Sequence, residues 1–229
     1  MSNEILFITF FLILCIFNIT AFRFGKTYMY VLIAVYTVLM NIFVTKQYML
    51  FGFAITGGNA LYGATFLLTD LLSEHYGKKE AFKAVAVGFL SMIIFVISTQ
   101  FLIHFTPNEY DYANESIKTI FSITPRILLG SLLAYFIAQN IDVFLYEKIK
   151  LFTKGKYLFL RNNGSTMISQ AIDTLIFTFV GLTTFGGFTG VIELNIFWEV
   201  AIATYVIKLI VALIDTPFMY LSLFIYKKN

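Results

Sequence analysis

RNNGSTMISQAIDTLIFTFVGLTTF, residues 161–185, decides how the whole chain is read. Its first part carries Asn162, Asn163, Ser165, Thr166, Ser169, Gln170 and Asp173, and its second part is a run suited to hydrocarbon. Upstream, Lys148, Lys150, Lys154 and Lys156 mark a water-facing segment. The polar residues therefore enter a membrane. Asn163, Thr166, Gln170, Asp173 and Thr174 fall on one face of a helix, separated by three, four, three and one residues. Unpaired amides in lipid are costly, so that face must meet a cavity or other helices. Gly164, early in the stretch, predicts a bent or late-starting helix.

The rest of the chain fits the same setting. Of 229 residues, 59% are hydrophobic and only 13% charged, where soluble domains carry about a quarter. Seven apolar stretches stand out, at roughly 5–22, 27–44, 59–76, 84–106, 119–147, 163–184 and 197–225, each long enough to cross a bilayer core, which takes about 17–25 residues. The short alternating segments of a transmembrane barrel are absent. The expected fold is all-α: residues 1–229 form one integral membrane bundle of about seven helices, with six as the alternative count. The first stretch is read as a retained helix, because Glu4 precedes it in place of a basic region and no small-residue cleavage site follows. KQYMLFGFAITGG, residues 46–58, is either a small hairpin around Gly52 or a plain connection ending in Gly57-Gly58.

Basic residues set the orientation. Arg23 and Lys26 follow the first stretch, Lys78, Lys79 and Lys83 the third, Lys148 to Arg161 the fifth, and Lys227 and Lys228 the last. The opposite side holds Lys46 and Lys118 with Glu109, Asp111, Glu115 and Glu193. The positive-inside rule puts the first group in the cytoplasm. The N-terminus is then expected outside and the C-terminus inside, in a bacterial cytoplasmic membrane.

Ionisable groups within the spans are candidate functional residues, since a charge at mid-bilayer costs at least about 2.5–3.5 kcal/mol. Asp70 is too deep to reach the surface, while Glu74, four residues on, reaches the interface or pairs with Lys78. In GSLLAYFIAQNIDVFLYEK, Ser131, Tyr135, Gln139, Asp142 and Tyr146 line one helix face, with Asn140 beside it. Arg126 anchors the outer interface or partners an acid. In the last stretch Thr204, Lys208 and Asp215 share a stripe, with Pro217 below them. Lys208 is central and is expected to pair with one of Asp70, Asp142, Asp173 or Asp215. The surplus of acids over bases requires bound protons or a cationic or hydrogen-donating solute. Both describe a transporter.

No phosphate-cradling glycine loop, HExxH or GxSxG motif occurs. The two histidines, His75 and His104, have no metal-ligand spacing. ATP-driven, zinc-dependent and hydrolytic readings lack support, no cofactor is expected, and no nucleic-acid-binding patch is seen beyond the topological lysines.

The stretches TFLLTDLLSEHYGKKEA, GSLLAYFIAQNIDVFLYEKIK and RNNGSTMISQAIDT occur in the order and separation found in the queuosine precursor transporter family, formerly grouped as vitamin uptake transporters. Together they span most of residues 59–220. In place of the proline common before the third-span motif, this chain has Tyr62-Gly63-Ala64. The resemblance implies alternating-access import of a 7-deazaguanine (cyano- or aminomethyl-deazaguanine, or queuine) for tRNA modification, by a monomer or homodimer in the lipid bilayer. A guanine-like edge presents two donors that one carboxylate accepts together, and Asn and Gln supply both donors and acceptors. The expected substrate site is therefore drawn from Asp70, Tyr135, Gln139, Asn140, Asp142, Asn163, Gln170 and Asp173. Glu74, Arg126, Lys208 and Asp215 are expected to pair charges or couple transport. The rival readings are the substrate-capture subunit of an energy-coupling-factor importer and an ion or proton channel. The first of these usually docks through small residues at four-residue spacing, which ILFITFFLILCIFNITAF does not offer.

Overall fold

With no water available in hydrocarbon, each apolar stretch must satisfy its own backbone, and it does so as a helix. A computed structural model describes residues 2–122, 125–184 and 192–226. The helices are α1 (Asn3–Phe24), α2 (Lys26–Phe43), α3 (Asn59–His75), α4 (Lys78–His104), α5 (Asn114–Phe121), α6 (Pro125–Phe152), α7 (Leu158–Ile176) and α8 (Phe197–Tyr226). Residues 46–58 take the hairpin alternative: β1 (Gln47–Leu50) pairs antiparallel with β2 (Phe53–Thr56). Phe51 and Gly52 between them both have positive φ, as a tight two-residue turn requires. Six helical segments among the described residues are long and apolar enough to cross a membrane; α3, at 17 residues, falls outside that criterion.

α3 is the axis of the bundle. It packs against α1, α2, α4, α6 and α8, and every residue from Ala60 to Ser73 except Tyr62 is buried. Close approach is permitted by Gly63, where an added methyl group would run into Val211 of α8. Lipid-facing positions are the reverse of a soluble surface: Ile16, Phe17, Ile94, Phe101, Ile202 and Phe224 are exposed, while the buried residues include Asn18, Thr65, Thr69, Asp70, Gln139, Asp142 and Ser169. A continuous exposed apolar belt around a polar interior is the signature of a bilayer as solvent.

Three expectations are corrected. Residues 119–147 are not one helix, because α5 ends at Phe121 and α6 begins at Pro125, whose missing N–H suits a first helical turn. α7 starts at Leu158, earlier than its polar stripe, and runs through Gly164. Arg161 is not a water-facing topological charge; its side chain is 3% exposed.

Where α7 meets the N-terminal part of α6, the helix loosens into a π-helical turn, Phe177–Leu182. Gly181 in this turn lies against Gly130, where an added Cβ would come within 2.6 Å of the Gly181 Cα. π-turns are rare and recur at functional sites.

Candidate functional site

The hairpin and the end of the bundle beside it enclose a partly open cavity of about 460 Å³. Asn3 and Glu4, at the start of α1, bind the backbone of Met49 and Phe51, so the hairpin sits at the N-terminal end of α1. The walls come from α2 (Met40, Asn41), the hairpin (Gln47, Ile55, Thr56), α6 (Ser131, Ala134), the π-turn (Phe177, Thr178) and α8 (Val200, Thr204). Cavities of roughly 300–1,000 Å³, mostly apolar with a few convergent polar groups, are the usual form of a small-molecule site.

At the cavity floor lie Tyr62, Asp173 and Lys208. Asp173 receives hydrogen bonds on both oxygens, from the Tyr62 hydroxyl on Oδ1 and from the Lys208 ammonium on Oδ2. The ammonium also stands 4.9 Å from the centre of the Tyr62 ring, a cation–π contact. Three helices thus meet in one charged knot, with the side chains of Asp173 and Lys208 only 6% and 8% exposed. A carboxylate has about four lone-pair sites, so Asp173 retains capacity for donors brought by a solute.

Deeper between α3, α6, α7 and α8 lies a second polar layer outside the cavity lining. Asp70 takes a hydrogen bond from Thr166 at 3.5 Å, and Asp142 takes one from Ser169 at 2.9 Å. Asn162 donates to Asp215 at 3.0 Å and Asn163 to Thr216 at 2.8 Å. Gln139 accepts from Thr69 at 3.2 Å.

The far end of the bundle is closed by charge. Arg161 grips Glu74 with two nitrogens, at 2.9 and 2.7 Å. Tyr146 donates to the same carboxylate at 2.9 Å, and Lys150 stands 3.3 Å from it. The remaining guanidinium nitrogen binds the carbonyls of Gly155 and Lys156. A two-pronged Arg–carboxylate pair is geometrically demanding, and this one ties α3 to α7, with α6 held by Tyr146 and Lys150.

Of the residues named from the sequence, Asp173 and Lys208 therefore face the cavity together. Lys208 selects Asp173 among its four possible partners. Asp70, Gln139, Asp142, Asn163 and Asp215 join the deeper layer instead. Tyr135 is buried beside Tyr62, ring centres 6.4 Å apart. Gln170 is buried away from the cavity. Asn140 turns from the site and donates to its own helix at Phe136, 2.6 Å away. Glu74 pairs with Arg161 and Lys150 rather than with Lys78. The Arg126 side chain lies outside the described residues. Sequence patterning does not single out Tyr62, Asn41 or Arg161 as site residues; the signal for Tyr62 is its place where a proline is expected. That position is continuous helix.

A lipid-belted helical bundle with a polar-floored cavity let into one end is built to hold a solute within a membrane: it is a multi-pass membrane transporter. Residues 56–222 match the family described as "Putative vitamin uptake transporter". A protein of Bacillus subtilis (strain 168) named "Probable queuosine precursor transporter" is 40% identical over 198 residues, covering 86% of this chain and 84% of that one. No solved structure matches the chain. The chain belongs to this family, the queuosine precursor transporters that its three motifs resemble.

Proposed function

We propose that the protein imports a 7-deazaguanine precursor of queuosine by alternating access, and that Asp173, Lys208 and Tyr62 form the binding floor. The observation that carries this reading is the knot of carboxylate, ammonium and phenol at the base of an otherwise apolar cavity. The N1–H and exocyclic amine of a guanine-like edge match the spare acceptor capacity of Asp173. Its carbonyl oxygen requires a donor, which Lys208 supplies. The flat ring finds aromatic faces in Tyr62 and Phe177. Gln47, Asn59, Thr178 and Thr204 offer further polar contacts around the rim. The 7-substituent, which distinguishes the precursors, is left toward the open side.

Orientation follows from charge. The cavity opens at the end away from Arg23, Lys26, Lys78 and Lys148, so by the positive-inside rule it faces outward. α3 is then the seventh span, shielded from lipid by its neighbours. In this outward-open form the Glu74–Arg161 pair seals the cytoplasmic end, and release of solute inward requires that pair to part. The residues that line the cavity come from one chain, so on this reading each copy of a monomer or homodimer transports by itself.

The test is expression in a cell unable to make queuosine, with each precursor supplied in turn and queuosine measured in tRNA. Wild-type chain restores the modification with at least one 7-deazaguanine, and Asp173→Asn fails to do so while inserting normally. Equal restoration by the variant would discard the assignment.

A further inference from the structure

The layer beneath the cavity contains an arrangement that solute binding does not use. Asp70 of α3 and Asp142 of α6 are completely buried and lie within hydrogen-bonding reach of each other. One oxygen of each accepts a hydrogen bond from a hydroxyl of α7, Asp70 Oδ2 from Thr166 and Asp142 Oδ1 from Ser169. The other oxygen of each, Asp70 Oδ1 and Asp142 Oδ2, has no hydrogen-bond partner. Two facing carboxylates cannot both be ionised at low cost. One proton between them removes the repulsion and satisfies both orphaned acceptors, and the pair then titrates as a unit.

Gln139 supplies an independent observation. It is completely buried, and its Oε1 is fixed by Thr69, the residue before Asp70. It precedes Asp142 by one helical turn. Its Nε2 has no partner. A buried amide donor without a partner, one turn from Asp142 and held by the residue before Asp70, is the group we assign to take over a carboxylate oxygen once the proton has left. The site therefore has a satisfied arrangement for each of two protonation states.

Other groups facing the pair are compatible with proton exchange. Asp215 of α8 lies within electrostatic range of both acids, as the Tyr146 phenol does of Asp70 and the Tyr62 phenol of Asp142. Cys15 of α1 lies toward Asp215. The buried residues of α4 are Ala81, Ala84, Val85, Gly88, Met92 and Thr99, none of them titratable. Among the described residues no three acidic, histidine or cysteine side chains converge to ligate a metal ion.

We infer that Asp70 and Asp142 form a proton-binding site that couples solute import to the inward movement of a proton. The site joins α3 to α6 and, through Ser169 and Thr166, to α7. α3 also carries Tyr62 at the cavity and Glu74 at the inner seal, and α7 carries Asp173 and Arg161. Loss of the proton leaves two like charges across the α3–α6 contact and loosens the helices that hold both gates. The coupling rests on the importer reading above; the proton-holding pair does not.

Two measurements separate these. Infrared spectra of purified protein at neutral pH are expected to show the carbonyl stretch of a neutral carboxylic acid, lost in both Asp70→Asn and Asp142→Asn. An undiminished band in both variants, or none in the wild type, overturns the site. In proteoliposomes with the membrane potential clamped, an inward pH difference of one unit drives about tenfold accumulation of 7-cyano-7-deazaguanine if one proton accompanies each solute. Asp70→Asn, which lies outside the cavity lining, abolishes that accumulation but retains counterflow exchange. Accumulation driven by sodium, or exchange and accumulation lost together, overturns the coupling. Absence of all flux under every gradient refutes the importer reading, while the infrared result still decides the proton site.

Discussion

The Asp173–Lys208 pair is open to a double-mutant cycle. Removing one partner of a buried ion pair costs about 3–5 kcal/mol, because the other charge is left without compensation, whereas replacing both with uncharged groups is often neutral or better. Both side chains border the cavity, so water relieves some of this and the lower figure applies, about 3 kcal/mol for Asp173→Asn or Lys208→Met alone. At about 2–4 °C per kcal/mol for a chain of this size, each single variant melts roughly 6–12 °C below the wild type in detergent. The double variant melts no lower than either single one, giving a coupling energy of at least about 3 kcal/mol. Binding behaves differently. Hydrogen bonds to a charged group contribute about 1.5–3 kcal/mol each, so Asp173→Asn weakens deazaguanine binding by roughly tenfold to over a hundredfold, and the double variant does not recover it. Melting losses that simply add, or binding that returns with stability, would refute the reasoning.

Three further outcomes are expected. Cys15 is the sole cysteine and is completely buried, so Thr204→Cys will be labelled by an impermeant maleimide added outside and protected by bound deazaguanine; labelling only from inside would reverse the orientation. Ser73→Cys, beside the inner seal, will stay unlabelled from the cytoplasmic side until Arg161→Ala is added, and equal labelling in both backgrounds would show that the Glu74 pair seals nothing. Gly63→Ala will destabilise the bundle by about 1–3 kcal/mol through its clash with Val211, a loss that Val211→Ala relieves; an unchanged melting temperature would contradict the packing of α3 on α8.

Much of this architecture is legible in the chain because a bilayer permits few solutions. The apolar runs become helices, six of them long enough to span among the described residues, and of the two polar stripes Asp173, Thr204 and Lys208 line the cavity while Asn163, Gln170 and Asp215 do not. Helical periodicity gives the face of a helix but not the neighbour that face meets. That is why the partner of Lys208 was one of four acids until α7 and α8 were seen side by side, and why Asp142, on an equally regular stripe, proved to lie below the cavity. Asn140 is one residue, about 100° of helix, off its stripe, enough to return its amide to Phe136. Tyr62 is hidden for another reason: a tyrosine in a span reads as an interfacial anchor unless its hydroxyl's partner is known. Arg161 sits in a run of basic residues whose topological role masks its pairing with Glu74. The π-turn after α7 has no periodicity signal; what accompanies it, the close approach of Gly130 and Gly181, is a tertiary contact.

Uptake by purified protein tests the central claim most directly. Wild-type protein in liposomes is expected to take up labelled 7-cyano-7-deazaguanine with saturation, to be competed by other 7-deazaguanines, and to lose uptake with Asp173→Asn. Flux that rises without saturation, or is unchanged by that substitution, would contradict a binding floor at Asp173, Lys208 and Tyr62.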